Sequence, residues 1–162
     1  MRNSPGERPV LASVLDRLID TDPELSQDPS ITRAQSVREL KATLKRDLEW
    51  LLNTRRIAGD FSESSEELRN SLYAYGLPEF RELNLSAAAD DLAKHIEFAI
   101  KLFEPRLASV RVTMRPGEGV DRIAHFIIDA ILLIDPMPER VTFDTVLELT
   151  SGQYRVGGEG GA

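Results

Sequence analysis

The hydrophobic period of this chain changes once, at Pro105, and that change sets the fold class. Upstream, apolar residues recur every three to four positions. Val37, Leu40, Leu44, Leu48, Leu51 and Leu52 form one set; Leu92, Ala93, Ile96, Ala99, Ile100 and Phe103 form another. Such spacing places each set on one face of a helix. Downstream, Val110, Val112 and Met114 alternate with Arg111, Thr113 and Arg115, the period of a half-buried strand. Ile123 to Ile134 reads as a longer strand, apolar on both faces after Phe126 and therefore central. Val141 to Leu149 and Gln153 to Val156 follow as strands, separated by Ser151-Gly152. Helices first and strands last predict an α+β fold, with N-terminal helices packed on one face of a small, mainly antiparallel C-terminal β-sheet.

Element ends follow from capping and turn chemistry. Val10, Leu11, Val14, Leu15, Leu18 and Ile19 form an apolar stripe, so Pro9 to Asp20 reads as a short amphipathic helix that Thr21-Asp22-Pro23 terminates. Ser36 with Glu39 reads as a capping box, a start near Thr32 being the alternative. Arg55 and Arg56 suit the negative end of that helix. Glu66 to Ala74 is a weaker helical stretch, stopped at Gly76-Leu77-Pro78, and Ser86 suits the N-cap of the next helix. At 162 residues the chain can bury a core without disulfide or metal staples. One domain, residues 10–156, is expected between a flexible N-terminus (1–9) and a flexible glycine-rich tail (157–162).

Composition excludes several functions. With no cysteine there is no disulfide framework, thiolate nucleophile or cysteine-bound zinc. A net charge of −7 gives no general attraction to phosphate backbones, so no nucleic-acid partner is expected. The longest apolar run, Ala130 to Ile134, is far too short to insert into a membrane, and Met1 to Pro9 lacks the apolar core of a signal peptide. His95 and His125 have no nearby Cys or His, and no phosphate-loop or dinucleotide motif occurs, so no metal and no cofactor are expected. Glu39, Asp47, Glu49, Glu104 and Asp129 are candidates for a glycosidase pair. Yet 27 acidic residues make an acid pair at any chosen spacing a chance event, and no catalytic residue is assigned. Trp50 reads as core or rim packing beside Leu48, Leu51 and Leu52.

Two places stand out. At Glu104-Pro105-Arg106 a carboxylate meets the negative end of a helix, and proline then directs an arginine toward the first strand. Glu104 and Arg106 are expected to be largely exposed, either as a self-contained surface pair or as an acid and a base offered to a partner. The short strand Gln153, Tyr154, Arg155, Val156 is expected at a sheet edge, with Arg155 its only blunting charge. An edge with unpaired N–H and C=O groups is a socket for strand addition. An edge capped and hidden by the N-terminal segment is the alternative.

Four segments in order carry a family resemblance: Asp47-Leu48-Glu49-Trp50-Leu51-Leu52-Asn53-Thr54-Arg55-Arg56, Tyr75-Gly76-Leu77-Pro78, Phe103-Glu104-Pro105-Arg106-Leu107 and Val141-Thr142-Phe143-Asp144. Together they resemble TssE, the type VI secretion baseplate protein related to the wedge protein of contractile phage tails. The likeness spans roughly residues 10–156, with Ser62 to Glu67 more acidic and serine-rich than the pattern. It implies a cytoplasmic structural subunit that forms the wedge with other baseplate proteins and links it to the contractile sheath. Glu104, Pro105 and Arg106 match the family's acid-proline-arginine motif, implicated in wedge contacts, and the C-terminal strands are implied to pair with sheath strands. Members sometimes carry a lysozyme-like label, so a muramidase is the enzymatic alternative. A regulatory anti-adaptor of related fold is the second.

Overall fold

The computed structural model describes residues 33–56, 66–78, 85–115 and 123–158. Helix α1 spans Arg33–Asn53, α2 is a single turn at Glu66–Arg69, and Leu72–Ala74 form a 3₁₀ turn. Helix α3 spans Leu85–Phe103. Four strands follow: β1 Leu107–Arg115, β2 Ile123–Leu132, β3 Glu139–Glu148 and β4 Gln153–Val156. They form one antiparallel sheet in the order β1-β2-β3-β4. The α+β architecture expected from the change of period is therefore the observed one, with β2 inside the sheet. The amphipathic stretch Pro9 to Asp20, residues 1–9, residues 159–162 and most of Ser62–Glu67 lie outside the described residues.

The helices bury the stripes that their spacing defines. Leu44, Leu48 and Leu52 of α1, and Ile96 and Ile100 of α3, are fully buried over the inward residues Phe126, Ile128 and Leu132 of β2. Each such side chain contributes about 1.5–3 kcal/mol relative to leaving it in water. Helix α3 lies against β1 and α1 against β4, both on one side of the sheet. Ser36 is buried inside α1, three residues past its first residue, so it is no N-cap; the earlier start is the observed one. Arg55 does cap the helix end, its Nη1 donating to the Leu52 carbonyl at 3.1 Å.

Three backbone features shape the sheet. A bulge between Ala108 and Arg111 on β1 places Ser109 at φ 52° and lets both Leu107 and Val110 face the core. Glu97 of α3 accepts the Val112 N–H through Oε2 at 3.1 Å, occupying an outward group of the β1 edge. The turn from β2 to β3 contains a cis Asp135–Pro136 peptide bond. On the far side from the helices, β2 presents Ile123, His125, Ile127, Asp129 and Ile131, a row that Leu133 extends.

Candidate functional site

The site grows out of the end of α3. The Glu104 N–H still donates to the Ile100 carbonyl at 2.8 Å, and the Leu107 N–H turns back onto the Glu104 carbonyl at 3.1 Å. Between them Pro105 supplies a fixed φ and no donor, so the chain reverses within one residue. The reversal folds Arg106 onto Glu104. Arg106 Nε donates to Glu104 Oε1 at 2.6 Å and Nη2 to Oε2 at 2.5 Å, a two-pronged fork. The Arg106 N–H also reaches Oε1, at 3.3 Å. From the middle of α1, Asp47 Oδ2 accepts a further bond from Arg106 Nη2 at 2.6 Å. The Arg106 carbonyl receives the Leu133 N–H at 2.9 Å, tying the junction to the end of β2.

Both side chains were expected at the surface, and the structure corrects that. Glu104 is only 5% exposed, and Arg106 is half-buried. The cause is the reversal at Pro105, which turns the carboxylate inward where only an arginine fork satisfies both oxygens. The hydrogen bond to Glu104 is the main force holding the Arg106 guanidinium above its ordinary pKa. Burial opposes that shift, and Asp47 adds to it. Burial likewise raises the Tyr75 hydroxyl, with the charges of Asp47 and Glu104 pushing the same way.

These charges floor a cleft of about 380 Å³ whose walls are Leu51, Tyr75, Phe103 and Pro105. Tyr75 and Phe103 meet edge to face, 5.2 Å between centroids. Arg106 Nη1 is buried there with no hydrogen-bond partner among the described residues. An unpaired buried donor costs about 1–3 kcal/mol, which an incoming carbonyl or carboxylate recovers. Trp50 is not core: it is 52% exposed, and the Arg46 guanidinium lies 5.0 Å from its ring centroid. Arg46 in turn donates to Asp47 Oδ1 at 3.1 Å, so the tryptophan borders the same charge group.

Strand β4 is an edge, as its brevity implied, but not an open one. The Tyr154 N–H donates to Asn53 Oδ1 at 2.8 Å, and Asn53 Nδ2 donates to the Tyr154 carbonyl at 2.9 Å. Arg55 Nη2 donates to the Gly152 carbonyl at 2.6 Å. The end of α1 therefore occupies the backbone groups that an added strand would need at Tyr154, so the socket expected there is closed, by α1; the N-terminal segment named as the alternative cover lies outside the described residues. Tyr154 and Val156 are buried; Gln153 and Arg155 are exposed. Glu104, Pro105 and Arg106 gather in the cleft, while Gln153 to Val156 form a second place held by a different part of α1. Tyr75 and Asn53 were not singled out from chemistry, and Asp47 only as one of several candidate acids; all three lie in the segments that carried the family likeness.

Residues 38–137, which include α1 from its second turn, the cleft and β2, match the family model described as Baseplate wedge protein gp25. The chain belongs to that family. TssE is its type VI homologue, so the likeness in the sequence and the family match agree. No curated protein and no solved structure gives a significant match. As a member of the wedge family the chain is a structural protein of phage-tail-like baseplates that associates with other baseplate subunits. Glu104, Pro105 and Arg106 fall inside the matched range; β3 and β4 lie beyond it. Among the described residues no cluster of His, Asp or Glu has the makings of a metal site, and no helix is long and apolar enough to cross a membrane.

Proposed function

We propose that this wedge-family chain is the TssE-type subunit of a type VI secretion baseplate, acting in the cytoplasm without catalytic activity. The cleft at the junction of α3 and β1 is its contact with other wedge subunits. One observation carries this reading: the arginine of the acid-proline-arginine motif keeps a buried donor with no partner among the described residues, beside an apolar-walled cleft. Glu104 and Asp47 hold that guanidinium in place, and Pro105 and Tyr75 offer apolar surface around it. A partner that inserts an acceptor gains a charge-assisted bond without having to order the arginine first. Sheath contact is assigned to the exposed side chains of Gln153 and Arg155 beside Tyr154 and Val156, because strand addition at Tyr154 would first have to displace Asn53.

Co-expression with the other wedge subunits tests the cleft. Tyr75→Ala and Tyr75→Glu leave Pro105, and with it the Glu104–Arg106 fork, in place, and each is expected to reduce co-purification at least tenfold while the isolated chain stays folded. Undiminished co-purification of both folded variants would remove the cleft from the interface. Peptidoglycan zymography addresses the muramidase alternative, and no clearing is expected between pH 4 and pH 8 (about the working span of known carboxylate pairs).

A further inference from the structure

The sheet has a second face that the described helices leave uncovered. Along β2 it carries Ile123, Ile127 and Ile131, with Leu133 beyond the strand end and Met137 in the turn that follows. Ile123 is 40%, Leu133 51% and Met137 73% exposed. Arginines rim this row: Arg111 and Arg115 on β1, Arg140 beside Ile131 on β3, and Arg155 on β4. Of its acids, Asp129 accepts the Thr142 hydroxyl at 2.7 Å, Asp144 faces Arg115 at 4.0 Å, and Glu148, beside Ile123, accepts the Ser151 hydroxyl at 2.8 Å. The face is thus an apolar strip with four arginines and three engaged acids around it.

The chain itself holds a segment of complementary chemistry. Val10, Leu11, Val14, Leu15, Leu18 and Ile19 fall on one helical face. Asp16, Asp20, Asp22, Glu24 and Asp28 outweigh Arg17 in the stretch before α1. Helix α1 points the connection the right way. Lys41 binds Glu139 at 2.7 Å, and Glu139 pairs with Leu132, so the middle of α1 sits at the Leu133 end of the sheet. Arg33 lies eight residues earlier, about 12 Å further out past that end. Residues 21–32 reach up to about 40 Å, enough to round Leu133 and Met137. A helix of 12 residues is about 18 Å long, close to the roughly 20 Å from Ile127 to Leu133 along the strand.

We propose that the segment 9–20 docks intramolecularly on the open face of the sheet. Its apolar stripe lies over Ile127, Ile131 and Leu133, and its acids face the arginine border. The tether supplies a high effective concentration, so a modest contact area suffices. This inference does not rest on the baseplate reading.

The absence of cysteine makes the test clean. In Leu15→Cys/Ile127→Cys, mild oxidation of dilute protein should give a monomeric intramolecular disulfide, while the control Leu15→Cys/Glu66→Cys should give none. In parallel, tryptic cleavage after Arg17 should be about tenfold faster in Ile127→Arg than in the wild type, at unchanged near-ultraviolet circular dichroism. No crosslink in the first pair, a crosslinked dimer, an equal crosslink in the control, or equal cleavage in folded Ile127→Arg would each overturn the proposal. The dimer would assign the face to a second copy, and the absence of any crosslink to a different partner.

Discussion

Asn53 and Tyr154, 101 residues apart in sequence, exchange two hydrogen bonds of 2.8 and 2.9 Å between a side-chain amide and a strand backbone. The amide thus imitates one rung of a β-ladder, and it fastens the end of the longest helix to the last strand. Asn53→Ala leaves both Tyr154 groups without that partner. We expect a loss of about 1–3 kcal/mol, a fall in melting temperature of roughly 3–10 °C. Asn53→Asp keeps the acceptor and loses the donor, so urea midpoints should rank wild type above Asn53→Asp above Asn53→Ala.

The fork at Glu104 and Arg106 is a stability element as well as the floor of the cleft. Glu104→Ala should cost about 2–4 kcal/mol, somewhat less than a fully severed buried pair because Asp47 still holds the guanidinium. Double-mutant cycles in urea should give a larger coupling for Glu104 with Arg106 than for Asp47 with Arg106. Equal couplings would mean that the two-pronged geometry adds nothing to the charge. Arg106→Lys keeps the charge and loses the fork, and is expected to be destabilised.

Burial pushes the Tyr154 hydroxyl up to about 12 from its ordinary value of 10.0, with the charge of Arg55 opposing. A raised folded-state value means that the stabilisation is complete below pH 10 and is lost as the pH rises through about 12. Tyr154→Phe should therefore flatten the fall in stability across that window. Urea titrations of the two proteins at several alkaline pH values compare the slopes directly, and equal slopes would show that Tyr154 does not govern alkaline unfolding.

Gly76 has φ +99°, and a Cβ there would sit 2.4 Å from the Thr54 carbonyl oxygen. That oxygen accepts the Leu77 N–H at 2.9 Å, the bond that docks the Tyr75 segment onto the end of α1. Gly76→Ala should cost about 2–4 kcal/mol. At Gly152, φ +70°, the added Cβ would meet only the tip of Arg55, which can swing aside. Gly152→Ala should be the milder substitution in thermal melts.

Local periodicity carried the fold because helix and strand faces repeat along the sequence itself. Leu44, Leu48 and Leu52 announced the buried side of α1, and the double apolar pattern of β2 announced its central place. What periodicity cannot carry is a bond between distant positions. Asp47 joins Arg106 across 59 residues and Glu97 meets Val112 across 15, and neither pairing leaves a mark on its own segment. Glu104 and Arg106 were legible as a pair of opposite charges. Their burial was not, because it follows from the reversal at Pro105 and from the arrival of α1. Of the two places read for Trp50, core or rim, the rim is the observed one: its neighbours Leu48, Leu51 and Leu52 face inward, but its own position on the helix points toward water.

The amide of Asn53 and the carboxylate of Glu97 sit at opposite margins of one sheet. A subunit synthesised ahead of its partners spends time alone at rising concentration, when bare sheet margins would stitch copies together into fibres. A side chain from a different helix occupies one backbone position on each margin, at Tyr154 and at Val112, where it stands in the way of such pairing. Removing both, in Asn53→Ala/Glu97→Ala, should make the purified chain gather thioflavin-binding aggregates faster than the wild type.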